Sequence, residues 1–234
     1  MNLLFEEAKN HGLNLSEKQL GKFQIYMDFL LEYNSHTNLT AITEPEDIMI
    51  KHFFDSIILN NFLDIQQNSK FIDIGTGAGF PGVPLKIFRE DISLTLLDSA
   101  NKRIVFLKQL IEKLGLDADI FHARAEELSH DAVHREQYDF AVSRAVAPLN
   151  ILCELSLPYV KKGGFFVALK GSNAKEELQK SENAIKILGG KLKSVETFEL
   201  PKDKGLRNVL IIEKVSNISK KYPRNNSRIS KSPL

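Results

Sequence analysis

The first quarter of the chain carries its apolar residues on a helical beat. Leu3, Leu4 and Ala8 share one face, and Leu20, Phe23, Tyr26, Met27, Leu30 and Leu31 repeat the 3.6-residue spacing further on. Ser16 and Gln19 stand three apart before the second run, which predicts a capping box. Residues 33–43 are polar and read as a turn. Thr43 and Glu46 repeat the capping-box spacing, with Pro45 tolerated in a first turn, and Ile48, Ile50, Phe53, Phe54, Ile57 and Ile58 supply the apolar positions of the next helix. Residues 64–69 are polar again and read as a linker.

From Lys70 the rhythm changes. Short apolar runs at 71–74, 93–97, 118–121, 139–142 and 165–169 predict strands. Helix-like stretches fall between or after them at 83–88, 102–114, 126–133, 151–159 and 174–188. Strand–helix alternation of this kind builds a parallel sheet through right-handed crossovers. Two further strand-like runs, 191–200 and 207–213, are joined by 201–205 with no helix between, which predicts a closing antiparallel hairpin. The expected architecture is a doubly wound α/β domain with a mostly parallel seven-stranded sheet. It divides into a helical extension over 1–64, the sheet domain over 65–214 and a tail over 215–234.

The totals narrow the class. With 234 residues, the chain has room for one α/β domain and a modest extension. Its 43% apolar and 26% charged residues fit a soluble globular protein. Neither a secretory pattern nor an apolar run of bilayer length is present, so a cytoplasmic, non-membrane protein is expected, and a monomer. Cys153 is the single cysteine, which excludes an internal disulfide or a cysteine zinc cluster and reads as a core thiol. His130 and His134 have i,i+4 spacing but no obvious third ligand, so no metal site is expected. The net charge of +1 hides an asymmetry: residues 214–234 hold six basic and no acidic residues, leaving the rest with 25 basic and 30 acidic. A basic tail on an acidic body suggests a polyanionic partner.

The densest chemistry lies in Phe71-Ile-Asp-Ile-Gly75-Thr-Gly77-Ala-Gly79-Phe-Pro-Gly82, between a predicted strand and a predicted helix. Glycines there permit a tight turn and a close ligand approach. Asp98 closes the next strand, 21 residues after Gly77, where a carboxylate suits ribose hydroxyls. Gly75, Gly77 and Asp98 are therefore candidate cofactor residues. Residues 77–82 satisfy the dinucleotide pattern G-x-G-x-x-G, whereas 73–79 satisfy the acidic D-x-G-x-G-x-G pattern of methyltransferases. Asp73 beside the first glycine favours a sulfonium cofactor carrying an amino acid over a pyrophosphate, and no residues remain for a dehydrogenase's second domain. A nicotinamide-dependent oxidoreductase stays as the alternative.

Further motifs accompany the loop in order: Asn38-Leu-Thr-Ala-Ile42, His52-Phe-Phe-Asp-Ser56, Leu97-Asp-Ser99 with Lys102-Arg103, Arg124-Ala-Glu-Glu127, Ser143-Arg-Ala-Val-Ala147, Leu169-Lys-Gly171 and Lys221-Tyr-Pro-Arg224. With them the chain resembles, over nearly its whole length, the bacterial 16S rRNA guanine-N7 methyltransferases, also called glucose-inhibited division protein B. The resemblance implies a class I S-adenosylmethionine-dependent, Rossmann-like fold. It implies methylation of N7 of one 16S rRNA guanine, guanosine 527 in customary rRNA numbering, on free rRNA or on an assembling small subunit. It also implies that Gly75 and Phe80 border the cofactor, Ala125 and Glu126 flank the adenine, and Arg144 lies near the methionine end or the target base. The tail departs from the family, reading Asn225-Asn-Ser-Arg-Ile-Ser where a Gly and a Pro are usual.

The residues agree with N7 by elimination. The position after the fourth strand lacks the Asn/Asp-Pro-Pro-aromatic motif common among amine methylases, and Cys153 falls mid-helix, a poor place for a nucleophile. Guanine N7 has a free in-plane lone pair, so alignment and exclusion of water suffice and no catalytic residue is expected. Asp55 and Ser56 are candidates for the base pocket. Arg144, Lys170, Arg207, Lys221 and Arg224 are candidates for RNA contact. A non-catalytic RNA-binding module and a small-molecule methyltransferase are the remaining alternatives.

Overall fold

The computed structural model describes residues 1–234. Its seven strands are β1 (Lys70–Ile74), β2 (Ser93–Asp98), β3 (Asp119–His122), β4 (Tyr138–Arg144), β5 (Val160–Lys170), β6 (Gly190–Glu199) and β7 (Leu206–Lys214). They lie in the order β3-β2-β1-β4-β5-β7-β6. All pairings are parallel except those of β7 with β5 and β6, which are antiparallel. The chain leaves β1 toward one edge and returns at β4 toward the other. The carboxyl ends of β1 and β4 thus flank a topological switch point, where ligands of open α/β sheets bind.

The extension holds α1 (Asn2–Asn10) and α2 (Glu17–Thr37). The Ser16–Gln19 capping box forms as expected. Instead of stopping before the polar stretch, α2 runs to Thr37. It ends where Asn38 turns left-handed and the Asn34 side chain accepts from the Leu39 and Thr40 amides. The second capping box does not form: Glu44 is the N-cap, without a side-chain bond. The following segment is not one helix. It passes from α3 (Pro45–Ile48) through a π-helical stretch (Met49–Phe54) and α4 (Asp55–Ile57) into a 3-10 turn (Ile58–Asn61). Such π segments gather at functional sites, and this one carries His52.

Between the strands lie α5 (Gly82–Phe88), α6 (Asn101–Leu114), α7 (Ala125–Leu128), α8 (Leu149–Ser156) and α9 (Ala174–Ile187), and α10 (Asn226–Lys231) closes the chain. The helix expected over 126–133 shrinks to one turn because Asp131 bonds the Val133 amide and diverts the backbone.

Two apolar clusters sandwich the sheet. One joins the extension to α5 and α6: Phe23, Tyr26, Phe53 and Phe54 are fully buried with Leu96, Phe106 and Leu107. Each such side chain contributes roughly 1.5–3 kcal/mol by leaving water. The other holds α8 and α9 together with Ile218 and Tyr222 of the tail. Extension and tail therefore cover opposite faces of one sheet, and both reach its carboxyl ends.

Candidate donor and acceptor cavities

β1 delivers the chain into the glycine turn. Gly75 adopts φ +68°, and a Cβ there would meet the Val146 side chain at 2.7 Å. Gly77 faces open space, with nothing within 4 Å of a Cβ, so its backbone is bare to a ligand. Asp73 does not line the cleft. It is fully buried, and its Oδ2 accepts from Thr76 Oγ1 at 2.7 Å and from the Gly82 amide at 2.8 Å, stapling the loop. Burial pushes its carboxyl up to about 6.

Asp98 ends β2. Its Oδ2 accepts from the Gly77 amide at 2.9 Å and its Oδ1 from the Ala100 amide at 2.8 Å, while Arg103 Nη1 stands 3.1 Å from Oδ2. Gly75, Gly77, Phe80, Asp98 and Arg144 line one cavity of about 350 Å³. A second, of about 170 Å³, shares Gly75 and Asp98 and extends to Ala125 and Glu126. Val146 stands on both walls. The structure thus gathers all seven candidate cofactor residues along one cleft. Glu126 Oε1 is buried there without a partner. Two carboxylates spaced along a cleft, with an open glycine beside the first, suit the hydroxyl and amino donors of an adenosine.

A third cavity, of about 380 Å³, lies on the other side of Arg144 and is walled by Lys51, Asp55, Lys170 and Arg207. His52 and Arg144 line both this cavity and the glycine-loop cavity. Arg144 donates to Asp55 Oδ2 at 2.9 Å, to Lys51 O at 3.0 Å and to His52 Nδ1 at 2.9 Å, and its guanidinium carbon lies 5.0 Å from the Phe80 ring centre. His52 stacks on the other partner of that wall, Phe80, at 4.2 Å. Arg207 Nε reaches Asp55 Oδ1 at 3.3 Å, and Lys170 Nζ reaches Glu177 Oε2 and Ala147 O, each at 2.7 Å. Asp55 therefore meets the cleft through Arg144, while Ser56 points inward and donates to His52 O. Of the tail candidates, Arg224 is held by Glu154 at 2.6 Å, and Lys221 is exposed over the Tyr222 ring. Neither lines the cavity that holds Lys170 and Arg207.

His52 is the residue that sequence reasoning left without a role. Its Nδ1 accepts from Arg144, so the proton sits on Nε2, which donates to Thr40 Oγ1 at 3.0 Å. Burial, and then the Arg144 charge, drive its pKa from 6.5 down to about 3. The imidazole is neutral when folded, so its contribution to stability is complete above pH 6.5 and is lost as pH falls toward 3, at about 1.4 kcal/mol per pH unit. Thermal midpoints of wild type and His52→Gln should therefore converge as pH drops from 6.5 to 4.5. Parallel curves would show that His52 ionises freely in the folded protein.

His130 and His134 hold structure. His130 Nε2 donates to Pro223 O, and His134 Nδ1 pairs with the Tyr138 hydroxyl at 2.7 Å.

The sheet order, the glycine turn and the acid closing β2 define the fold class of the class I S-adenosylmethionine-dependent methyltransferases. A putative class I enzyme from Listeria monocytogenes superposes with TM-score 0.60 at 14% identity, covering 90% of this chain and 77% of its own. A SAM-dependent methyltransferase from Aquifex aeolicus superposes with TM-score 0.56 at 16% identity, covering 76% and 97%. The particular family follows from sequence: residues 19–206 match GidB, rRNA small subunit methyltransferase G, and the chain belongs to that family. Relatives with the name Ribosomal RNA small subunit methyltransferase G include one from Alkaliphilus metalliredigens, 46% identical over 99% of this chain and 98% of its own length. Another, from Staphylococcus aureus strain Newman, is 47% identical over 99% and 97%.

Proposed function

We propose that this protein transfers a methyl group from S-adenosylmethionine to N7 of one guanine in 16S rRNA, the position expected from the family resemblance. The observation that carries the reading is the shared wall: His52 and Arg144 separate, and both face, a nucleoside-sized cleft and a cation-lined cavity. The cofactor, when bound, supplies a methyl group on a positively charged sulfur. The chain supplies position. Gly77 admits the cofactor against bare backbone beside Gly75, Asp98 holds ribose hydroxyls, and Ala125 and Glu126 flank the adenine. Phe80 and Arg144 close the end nearest the acceptor. Lys51, Lys170 and Arg207 surround the acceptor cavity with positive charge for phosphates. Lys221 is exposed for the same role, whereas Arg224 serves the tail's own anchorage.

Both carboxylates on the acceptor cavity are held in ion pairs, Asp55 by Arg144 and Arg207 and Glu177 by Lys170. His52 has both ring nitrogens engaged and its pKa driven down to about 3. Cys153 is buried in α8, and burial pushes its thiol up. An acceptor whose lone pair is already free fits such a site, and guanine N7 is one. Catalysis then rests on alignment and exclusion of water.

The test incubates the protein and methyl-labelled cofactor with small subunits, and separately with free 16S rRNA, from cells lacking this gene. Label should appear as N7-methylguanosine. Label in another nucleoside overturns the N7 assignment, and no transfer to either RNA overturns the substrate.

A further inference from the structure

The basic tail reads in sequence as an RNA contact, yet it is built into the body. Glu154, itself fully buried, accepts from the Arg224 amide at 2.8 Å and from the Arg224 guanidinium at 2.8 and 2.6 Å. Arg135 donates to the carbonyls of Ile218, Ser219 and Tyr222. Tyr222 is buried, and Ile229 is wholly so. These anchors bring Asn226 to the Glu126 end of the cleft, where it lines the same cavity as Gly75, Asp98 and Ala125. Glu126 and Asn226 also bound an adjoining polar cavity of about 440 Å³, with no apolar residue on its wall.

We propose that the tail is the outer wall of the adenine subsite, and that the Asn226 carboxamide reads the base edge together with Glu126. The inference rests on the proposed cofactor. Its chemistry is a donor–acceptor match. Glu126 Oε1 is buried and partnerless, an acceptor awaiting a donor. Asn226 Oδ1 accepts from Ser230 Oγ at 3.3 Å, which leaves the Nδ2 hydrogens for a ligand. A 6-aminopurine offers the complement on its Watson–Crick edge, an exocyclic N–H donor for Glu126 beside an N1 acceptor for Asn226 Nδ2, which a 6-oxopurine replaces with an N1–H. A 6-oxopurine presents an acceptor in place of that donor.

The experiment is calorimetric titration of full-length protein with S-adenosylhomocysteine and with its inosine analogue. Wild type should prefer the adenosine form. Asn226→Ala should weaken S-adenosylhomocysteine about fivefold, the loss of one net hydrogen bond, and weaken the inosine analogue less. Asn226→Asp, which keeps the acceptor and removes the donor, should weaken it at least as much. Asn226 is exposed, so thermal midpoints without ligand should match wild type. Variants that bind S-adenosylhomocysteine as wild type does overturn the role of the tail alone. An equal loss for both nucleosides overturns the reading of the base edge. A wild type that binds neither overturns this proposal and the cofactor assignment together.

Discussion

Asp98→Ala is expected to weaken S-adenosylhomocysteine binding at least about a hundredfold, as read by calorimetry. A hydrogen bond to a charged group contributes about 1.5–3 kcal/mol, and a ribose presents two hydroxyls to one carboxylate. Two such bonds exceed the roughly 2.8 kcal/mol of a hundredfold change. The alanine also strips the Gly77 and Ala100 amides of their acceptor, so the loop that borders the cofactor loosens along with the contact. Asp98→Asn keeps one carbonyl oxygen and should recover part of the loss. A change below tenfold for Asp98→Ala would remove Asp98 from the ribose site.

Arg144→Lys is expected to lower single-turnover methyl transfer about a hundredfold at saturating cofactor, with S-adenosylhomocysteine affinity changed far less. The guanidinium reaches three acceptors at once, on Asp55, Lys51 and His52, while it lies over Phe80. An ammonium is a point charge on a flexible stem and cannot hold that planar fork. Misplacing the wall between donor and acceptor by about 1 Å is enough for a loss of this size. Asp55 is 1% exposed and would keep only Arg207, at 3.3 Å, so Arg144→Ala should in addition lower stability, by less than the about 3–5 kcal/mol of a buried carboxylate left with no partner. Asp55→Asn should give back most of that cost in the double variant, since the two side chains share one interaction. Full transfer activity in Arg144→Lys would assign the wall no part in alignment.

Local rules explain what was legible. The Ser16–Gln19 box spans three residues and closes through its own backbone, so no tertiary partner was needed. The strands from β1 to β5 alternate with helices because parallel neighbours need a crossover to carry the chain back. The glycine turn and Asp98 announce a cleft because a tight turn constrains its own residues. Misreadings arose where a single side chain bonded nearby backbone or a nearby hydroxyl and redirected the chain or itself. Asn34 reaches forward to terminate α2 after Thr37, and Asp131 bends the chain out of the helix expected beyond Leu128. Asp73, read as a carboxylate near the cofactor, turns inward because the Thr76 hydroxyl and the Gly82 amide compete for it at closer range.

From the order of its residues alone, the chain determined a doubly wound sheet, a helical lead-in, a glycine turn with Asp98 beside it, and membership in one family by its motifs. Periodicity and turn chemistry act over a few residues, and these features need nothing longer. Only the tertiary structure decided that His52 and Arg144, 92 positions apart, form one wall between two cavities. Only it decided that Arg224, a candidate for RNA contact, grips Glu154 70 positions away. A charge seeks whichever opposite charge the fold leaves nearest, and burial decides which pairs stay dry.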